Sequence, residues 1–445
     1  MSGVSPTVPP RAARPGSEWE VVVLAVAFVL VNVATALVQR PFLFHGREGW
    51  EGVNYLSMAR QTAEGRFPIA EEAPTVFRLG APVLAGLLNR FSGWNLVACF
   101  RAVNGVANVL SFALLVVWLR GFLVDWRVRT ALALVFLLQW DAPVRWLYFF
   151  PPHTDPWMWV FMLAGLLAAE RCRAQQTPGR IVLVTALTVV GACFREIVLI
   201  IGVVLPFIGN PVRPGAVGER WRGLWPRLIP LAAGVLTTLV LRHAVRREGT
   251  YDFAWTALHY LFSKPWPAYG LSWFSAFGPI LWLAVLRPRQ GAAFLARHQH
   301  LAVYLAAFAV LAYMGGSDTE RFLYWTMPVV YVLIGRALEE AAGLWPRWLL
   351  AGLAGAQFVA ARAVFWPAVP PYPNLVPHAL PLLTPFGRNV PFDDLYTDTA
   401  PHLQTLVLLV EYLSLGAALG VWLLWRRGYL LAVGTLPASK KLGVT

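Results

Sequence analysis

The chain has 445 residues, of which 58% are hydrophobic and only 13% charged, with 21 tryptophans and a net charge of +14. A soluble chain of this length carries roughly twice that charged fraction, about 25%. A soluble domain is therefore excluded, and the repeated apolar runs of helix-spanning length read as an all-α polytopic membrane protein. The positive charge would otherwise point to a nucleic-acid partner, but a one-sided excess of Lys and Arg in the loops accounts for it.

Residues 1–17, rich in Pro, Ala and Arg, read as a disordered cytoplasmic tail. Residues 18–428 form the transmembrane domain, and residues 429–445 a second cytoplasmic tail. Within that domain the apolar runs fall near 20–38, 95–119, 129–149, 155–170, 181–195, 196–208, 228–244, 275–286, 300–314, 322–336, 347–365 and 404–425, which makes twelve segments. The first follows Arg11 and Arg14 and contains "ATA" at 34–36, as a cleaved leader would. Its apolar stretch is long for a leader and reads as a retained helix.

With the N-terminus inside, the inner loops hold 21 of the 37 basic residues against 7 acidic ones, a net +14. The outer loops hold 14 basic and 15 acidic residues, a net −1. The whole net charge then lies on one side, which is the orientation signal of a membrane protein. Reading 181–208 as one helix would invert every later loop, so two short helices meeting at Arg195-Glu196 are expected. Each would be only about 21 Å long against a core of roughly 30 Å, so the junction must line a polar cavity. Cys99, Cys172 and Cys193 lie in or beside spans and form neither a disulfide framework nor a CxxC metal motif. Arg101, Arg362 and Glu411 lie within spans without an evident role.

Acidic and basic residues gather on the outer side, where ionisable groups near a bilayer mark function. The first outer loop, 39–94, carries Glu48, Glu51 and Arg78; the second carries Asp141, Arg145 and "PPHTDP" with His153 and Asp155. The fourth carries Asp252, His259 and Lys264, the fifth "GGSDTERF" with Asp318, Glu320 and Arg321, and the sixth, 366–403, ends in "PFDDLYTD". In "EGVNYLSMARQ" Glu51 stands four residues before Tyr55, so the two share one face of a short interfacial helix. No cofactor is implied beyond a divalent ion, which His153 and Asp155 have the spacing to bind together with Glu48 or Glu51. The simpler reading of "HTDP" is a helix cap, with Asp155 before Pro156. Arg195-Glu196 reads first as a buried structural ion pair.

Glu51 followed by "NYLSMA", the segment "GSDTERFLYWTMPVVYVL" at 316–333, and the charged break in "FREIVLI" together resemble the GT-C superfamily of integral-membrane glycosyltransferases. The resemblance covers the pattern of residues 20–340 through short motifs. It departs from the family in having Glu where Asp is commoner, no acidic doublet beside Glu51, and no large C-terminal soluble domain. It implies transfer of a sugar from a polyprenyl-phosphate donor to a glycan, lipid or protein acceptor on the outer face of a bacterial cytoplasmic membrane. Glu51 would be the base, with Glu48 as second candidate. Arg78, Arg321, Lys264 and Arg145 would hold the phosphate, with Tyr55 beside them. The chemistry asks for the same groups: a carboxylate to take a hydroxyl proton, and cations to hold a departing phosphate. The rival readings are a lipid or small-molecule transporter, which would show repeated halves and mid-membrane charges, and an O-antigen-ligase-like enzyme using a lipid diphosphate. The sugar, the acceptor and the oligomeric state are not written in the sequence.

Overall fold

The computed structural model describes residues 17–39, 43–44, 47–48, 51–139, 141–209, 217–316, 318–340, 345–361 and 403–434. The tail up to residue 16, Arg213, Arg362, most of the sixth outer loop with "PFDDLYTD", and the tail from residue 435 lie outside them. The described residues are overwhelmingly helical. In chain order the helices are α1 (Ser17–Val38), α2 (Gly52–Ala63), α3 (Gly80–Ser92), α4 (Leu96–Phe122), α5 (Trp126–Leu138) and α6 (Pro143–Phe149). There follow α7 (Asp155–Ala174), α8 (Pro178–Phe194), α9 (Ile200–Val204), α10 (Val217–Ala244), α11 (Phe253–Ser263) and α12 (Trp266–Phe277). The series closes with α13 (Leu281–Val285), α14 (Pro288–Arg297), α15 (Gln299–Met314), α16 (Thr319–Tyr324), α17 (Met327–Glu340), α18 (Arg347–Ala360) and a C-terminal helix, Leu403–Gly434. Two small ladders join the connecting segments: β1 (Leu43–Phe44) pairs antiparallel with β2 (Arg47–Glu48), and β3 (Ala70–Glu72) pairs parallel with β4 (Arg246–Glu248).

Among the described residues, four helices are long and apolar enough to cross a membrane, and a fifth is if α14 and α15, bent by 114°, count as one span. The described residues are thus those of a mostly helical protein with several membrane-length apolar helices. Among the described residues, several of the twelve apolar runs are not single continuous helices. Run 129–149 is broken between α5 and α6, run 275–286 at Gly278, and run 322–336 at Trp325–Thr326. Run 181–208 breaks at Arg195, whose backbone is extended (φ −160°, ψ 127°), after which Glu196–Phe207 continues as short 3₁₀ and α turns.

Each break frees backbone groups that must find partners where water is scarce, and buried polar side chains supply them. Gln139 donates to the carbonyls of Ser275 and Ala276, and Gln357 accepts from the amide of Ile280. The Tyr304 hydroxyl donates to Trp325 O, and Trp118 Nε1 donates to Pro328 O at 2.7 Å. Hydropathy alone merges such half-helices into spans because the apolar pattern runs straight through the break.

Polar contacts between distant segments separate into two ends of the bundle. At one end, fully buried Glu20 takes Arg120 and Arg129, Glu339 accepts from the amides of Val124 and Asp125, and Glu170 meets Arg173 and His298. At the other, β3 pairs with β4, Asn104 donates to the carbonyls of Pro151 and His153, and the residues of the next subsection meet. Helices α4, α7, α8, α10, α15 and α17 each run from one end to the other.

The first long loop folds onto the second end as a helical hairpin. In α2, Tyr55, Met58, Ala59 and Thr62 are buried, the three-and-four spacing of one helix face. That face lies on the small residues of α3, where a Cβ on Gly86 would come within 2.3 Å of Ala59 O. At the start of α3, a Cβ on Gly80 would fall 2.4 Å from the Phe194 ring. Glycine at both positions lets this hairpin close against the end of α8, and so brings Arg78 to Glu196.

Candidate functional site

Five separate segments supply the site. Glu51 precedes α2, Arg78 lies in the turn before α3, Asp155 begins α7, and Arg195-Glu196 follow α8; Arg321 then arrives from α16. Arg78 is the hub. Its Nε and Nη2 donate to the two oxygens of Glu196 at 3.2 and 3.0 Å, a two-point grip that only a guanidinium makes. Its Nη1 donates to the Tyr55 hydroxyl at 3.1 Å and to Glu51 Oε2 at 3.4 Å. The Tyr55 hydroxyl in turn donates to Glu51 Oε2 at 3.4 Å. Glu51 and Tyr55 therefore share a face, as their spacing requires.

Arg195 and Glu196 do not form the structural pair expected of them. Extended backbone at Arg195 sends the two side chains to different partners: Glu196 goes to Arg78, while Arg195 Nη1 donates to Asp155 Oδ1 and to Thr154 Oγ1. The Arg195 guanidinium also lies over the Trp325 ring, 5.1 Å from its centre. Asp155 and Pro156 open the first turn of α7, as the capping reading expects, although Thr154, the capping residue, makes no side-chain cap bond; the Asp155 carboxylate also receives Arg195. Arg321 pairs with Asp318 through Nη2, donates from Nη1 to His153 Nε2 at 3.1 Å, and approaches Asp155 Oδ2 at 4.0 Å.

Exposure separates the two kinds of charge. The Arg78 side chain is 8% exposed, whereas Glu51 and Glu196 keep 38% and 39% of theirs open. Glu51 and Glu196 thus face the opening, while Asp155, at 5%, is buried with the arginines. Burial works to raise the Glu51 carboxyl, but the combined charges of Arg78, Arg321 and Arg195 outweigh it and hold Glu51 below the usual carboxylate range. Burial pushes the Tyr55 phenol up, so it stays a neutral donor. Burial first, then repulsion from Arg321, Arg195 and Arg78, holds His153 well below the usual imidazole range. His153 is thus neutral and accepts a hydrogen bond from Arg321 at Nε2, which places its own hydrogen on Nδ1.

The remaining expected residues lie as follows. His153 and Asp155 do face each other, at 3.6 Å, but Arg195 and Arg321 stand on the same atoms. Their charge opposes a divalent ion there. Lys264, expected in the phosphate clamp, spends its three N–H donors on Ala312 O, Gly316 O and Thr319 Oγ1. It fixes the turn that presents Arg321. Arg145 is buried in α6 and donates to Gln39 Oε1 at 3.4 Å, at the end of α1. Glu48 sits in β2, and its side chain is outside the described residues. The sequence reading undervalued Arg195, Glu196 and Asp155; the signal for the first two was a charged doublet inside an apolar run.

The site thus offers an open carboxylate, a phenol, and three guanidiniums converging from four segments. Neither the protein-family profiles, nor the curated proteins, nor the solved structures compared with this chain match it.

Proposed function

We propose that this protein is a GT-C-like membrane glycosyltransferase that moves a sugar from a polyprenyl-phosphate donor to an acceptor hydroxyl at the outer membrane face. The observation that carries the reading is the single guanidinium of Arg78 joining Tyr55, Glu51 and Glu196, with Arg195 and Arg321 on the flank. In the reaction the acceptor oxygen attacks the anomeric carbon, and the bond from that carbon to the phosphate oxygen breaks. Glu51 takes the acceptor proton, and the electron pair leaves on the phosphate, which departs as polyprenyl phosphate. The guanidiniums, desolvated and already in place, stabilise the charge gathering on the leaving oxygen.

Two further observations support the reading. A groove lined by Phe28, Asn32, Arg101, Asn108, Leu147 and Tyr148 runs between α1, α4 and α6. One turn of α4 from Asn108, Asn104 holds the turn carrying His153. An apolar groove so placed suits the lipid chain of a donor. The segments grouped at the site end are the ones the charge count places outside, where the donor of such an enzyme is displayed. The twelve-segment topology, with both termini cytoplasmic, belongs to this proposal.

The test supplies purified protein with a polyprenyl-phosphate hexose and an acceptor, and follows the lipid product. Release of polyprenyl phosphate that needs the acceptor supports the reading. Activity confined to a diphosphate donor would favour the ligase-like alternative, and uptake or flipping without bond cleavage would favour a transporter.

A further inference from the structure

We propose that Glu170, His298 and His300 form a binding site for one divalent transition-metal ion, at the end of the bundle remote from the candidate active site. The three residues come from two places. Glu170 lies in the last turn of α7, while His298 sits at the elbow between α14 and α15 and His300 in the first turn of α15. His298 Nδ1 and His300 Nε2 both lie 2.9 Å from the same oxygen, Glu170 Oε1. One oxygen and two imidazole nitrogens, all within 4.8 Å of one another, make a two-histidine, one-carboxylate donor set.

The details favour a metal over a plain hydrogen-bonded cluster. His300 is fully buried, yet neither of its ring nitrogens has a hydrogen bond of acceptable geometry, even with Glu170 Oε1 so near Nε2. A buried imidazole left in that state is costly. A metal coordinated by Nε2 would satisfy that nitrogen. Ligands about 2.0–2.1 Å from a tetrahedral zinc stand ~3.3 Å apart, so each nitrogen is within a few tenths of an ångström of the separation from Glu170 Oε1 that a shared ion requires. Arg173 Nε holds the other oxygen, Oε2, at 2.7 Å, which orients the carboxylate and leaves Oε1 to act as a single-point ligand. Nitrogen and oxygen donors of this kind suit Zn²⁺, Ni²⁺ or Co²⁺ better than Mg²⁺ or Ca²⁺. The bound ion would tie α7 to the elbow at which α14 and α15 bend by 114°.

Arg173 makes the proposal separable from a general loss of structure, because its charge opposes a cation at Glu170. The experiment uses full-length protein carrying no polyhistidine tag and titrates it with Co²⁺, followed by its visible absorption, then with Zn²⁺ in competition. One equivalent should bind with a tetrahedral or five-coordinate spectrum, and X-ray absorption at the metal edge should show two imidazole ligands. His298→Ala should weaken Zn²⁺ by at least tenfold, Glu170→Gln likewise, and Arg173→Gln should tighten it several-fold. Glu51→Gln should leave it unchanged. A parental protein that takes up no stoichiometric Co²⁺, or a His298→Ala/His300→Ala variant that binds it as the parent does, would overturn the assignment.

Discussion

Arg78 grips Glu196 at two points, Nε on one oxygen and Nη2 on the other, across 118 residues of sequence. The grip fixes the plane of the guanidinium, and so directs Nη1 at the Tyr55 hydroxyl and Glu51. Glu196 is accordingly a positioning residue, and Arg78 stands between structure and chemistry.

Lysine at position 78 keeps the charge but loses the fork, and its single ammonium cannot serve Glu196, Tyr55 and Glu51 together. A charge-assisted hydrogen bond is worth about 1.5–3 kcal/mol. Arg78→Lys should therefore weaken donor binding by roughly 10–100-fold, read as a rise in KM, with the protein still folded by circular dichroism. Glu196→Gln should show a milder change in the same direction. Equal KM values in Arg78→Lys and the parent would remove Arg78 from the clamp.

The lowered Glu51 carboxyl has a consequence for pH. The arginines that depress it are those proposed to hold the donor phosphate, and an anion among them cancels part of their pull. Donor binding should raise Glu51 toward the ordinary range and strengthen it as a base. The acid limb of kcat/KM reports the free enzyme and should fall below the usual carboxylate value of about 4.3. The acid limb of kcat reports the complex and should lie higher. For stability the sign follows from the lowered folded-state value: Glu51 contributes above the unfolded carboxylate range, and the contribution fades as pH falls through the folded value. Coincident limbs in the two profiles would break the link between phosphate and base.

Gly80 offers a test that needs no substrate. A methyl group there meets the Phe194 ring at 2.4 Å, so Gly80→Ala should destabilise the detergent-solubilised protein by about 1–3 kcal/mol. Thermal unfolding measures it. Phe194→Leu should recover part of the loss, because the clash is pairwise and a double-mutant cycle isolates it. Additive losses would place the strain elsewhere.

How much of this was legible in the sequence varies from residue to residue. The Glu51–Tyr55 face followed from a four-residue spacing, and the break at Arg195-Glu196 followed from the loop charges, because a single helix over 181–208 would invert every later loop. The partners of those charges did not follow. Nothing local says that Glu196 meets Arg78, which depends on Gly80 and Gly86 letting the α2–α3 hairpin close, or that Arg195 meets Asp155, which depends on how α8 returns beside α7. Lys264 was misjudged for a related reason: a lysine beside an acidic loop reads as a free cation until the carbonyls of Ala312 and Gly316 are seen around it. The broken half-helices were hidden because Gln139, Gln357 and Tyr304, which satisfy the freed backbone groups, lie far away in sequence.

Topology is tested by labelling. Ser92 is exposed at the end of α3, and of the native cysteines Cys99 and Cys172 are buried and Cys193 partly so. A cysteine at position 92 should react with a membrane-impermeant thiol reagent in intact cells. Reaction only after permeabilisation would invert the orientation.

The most direct test of the catalytic reading is the turnover of Glu51→Gln. Glutamine keeps the size of the side chain and can still accept a hydrogen bond from Arg78, but it cannot take the acceptor proton. With a polyprenyl-phosphate sugar and acceptor, release of polyprenyl phosphate should fall by roughly 10²–10⁴-fold, while donor affinity changes little because the guanidiniums remain. Parental turnover in Glu51→Gln would contradict the account and take Glu51 out of the mechanism.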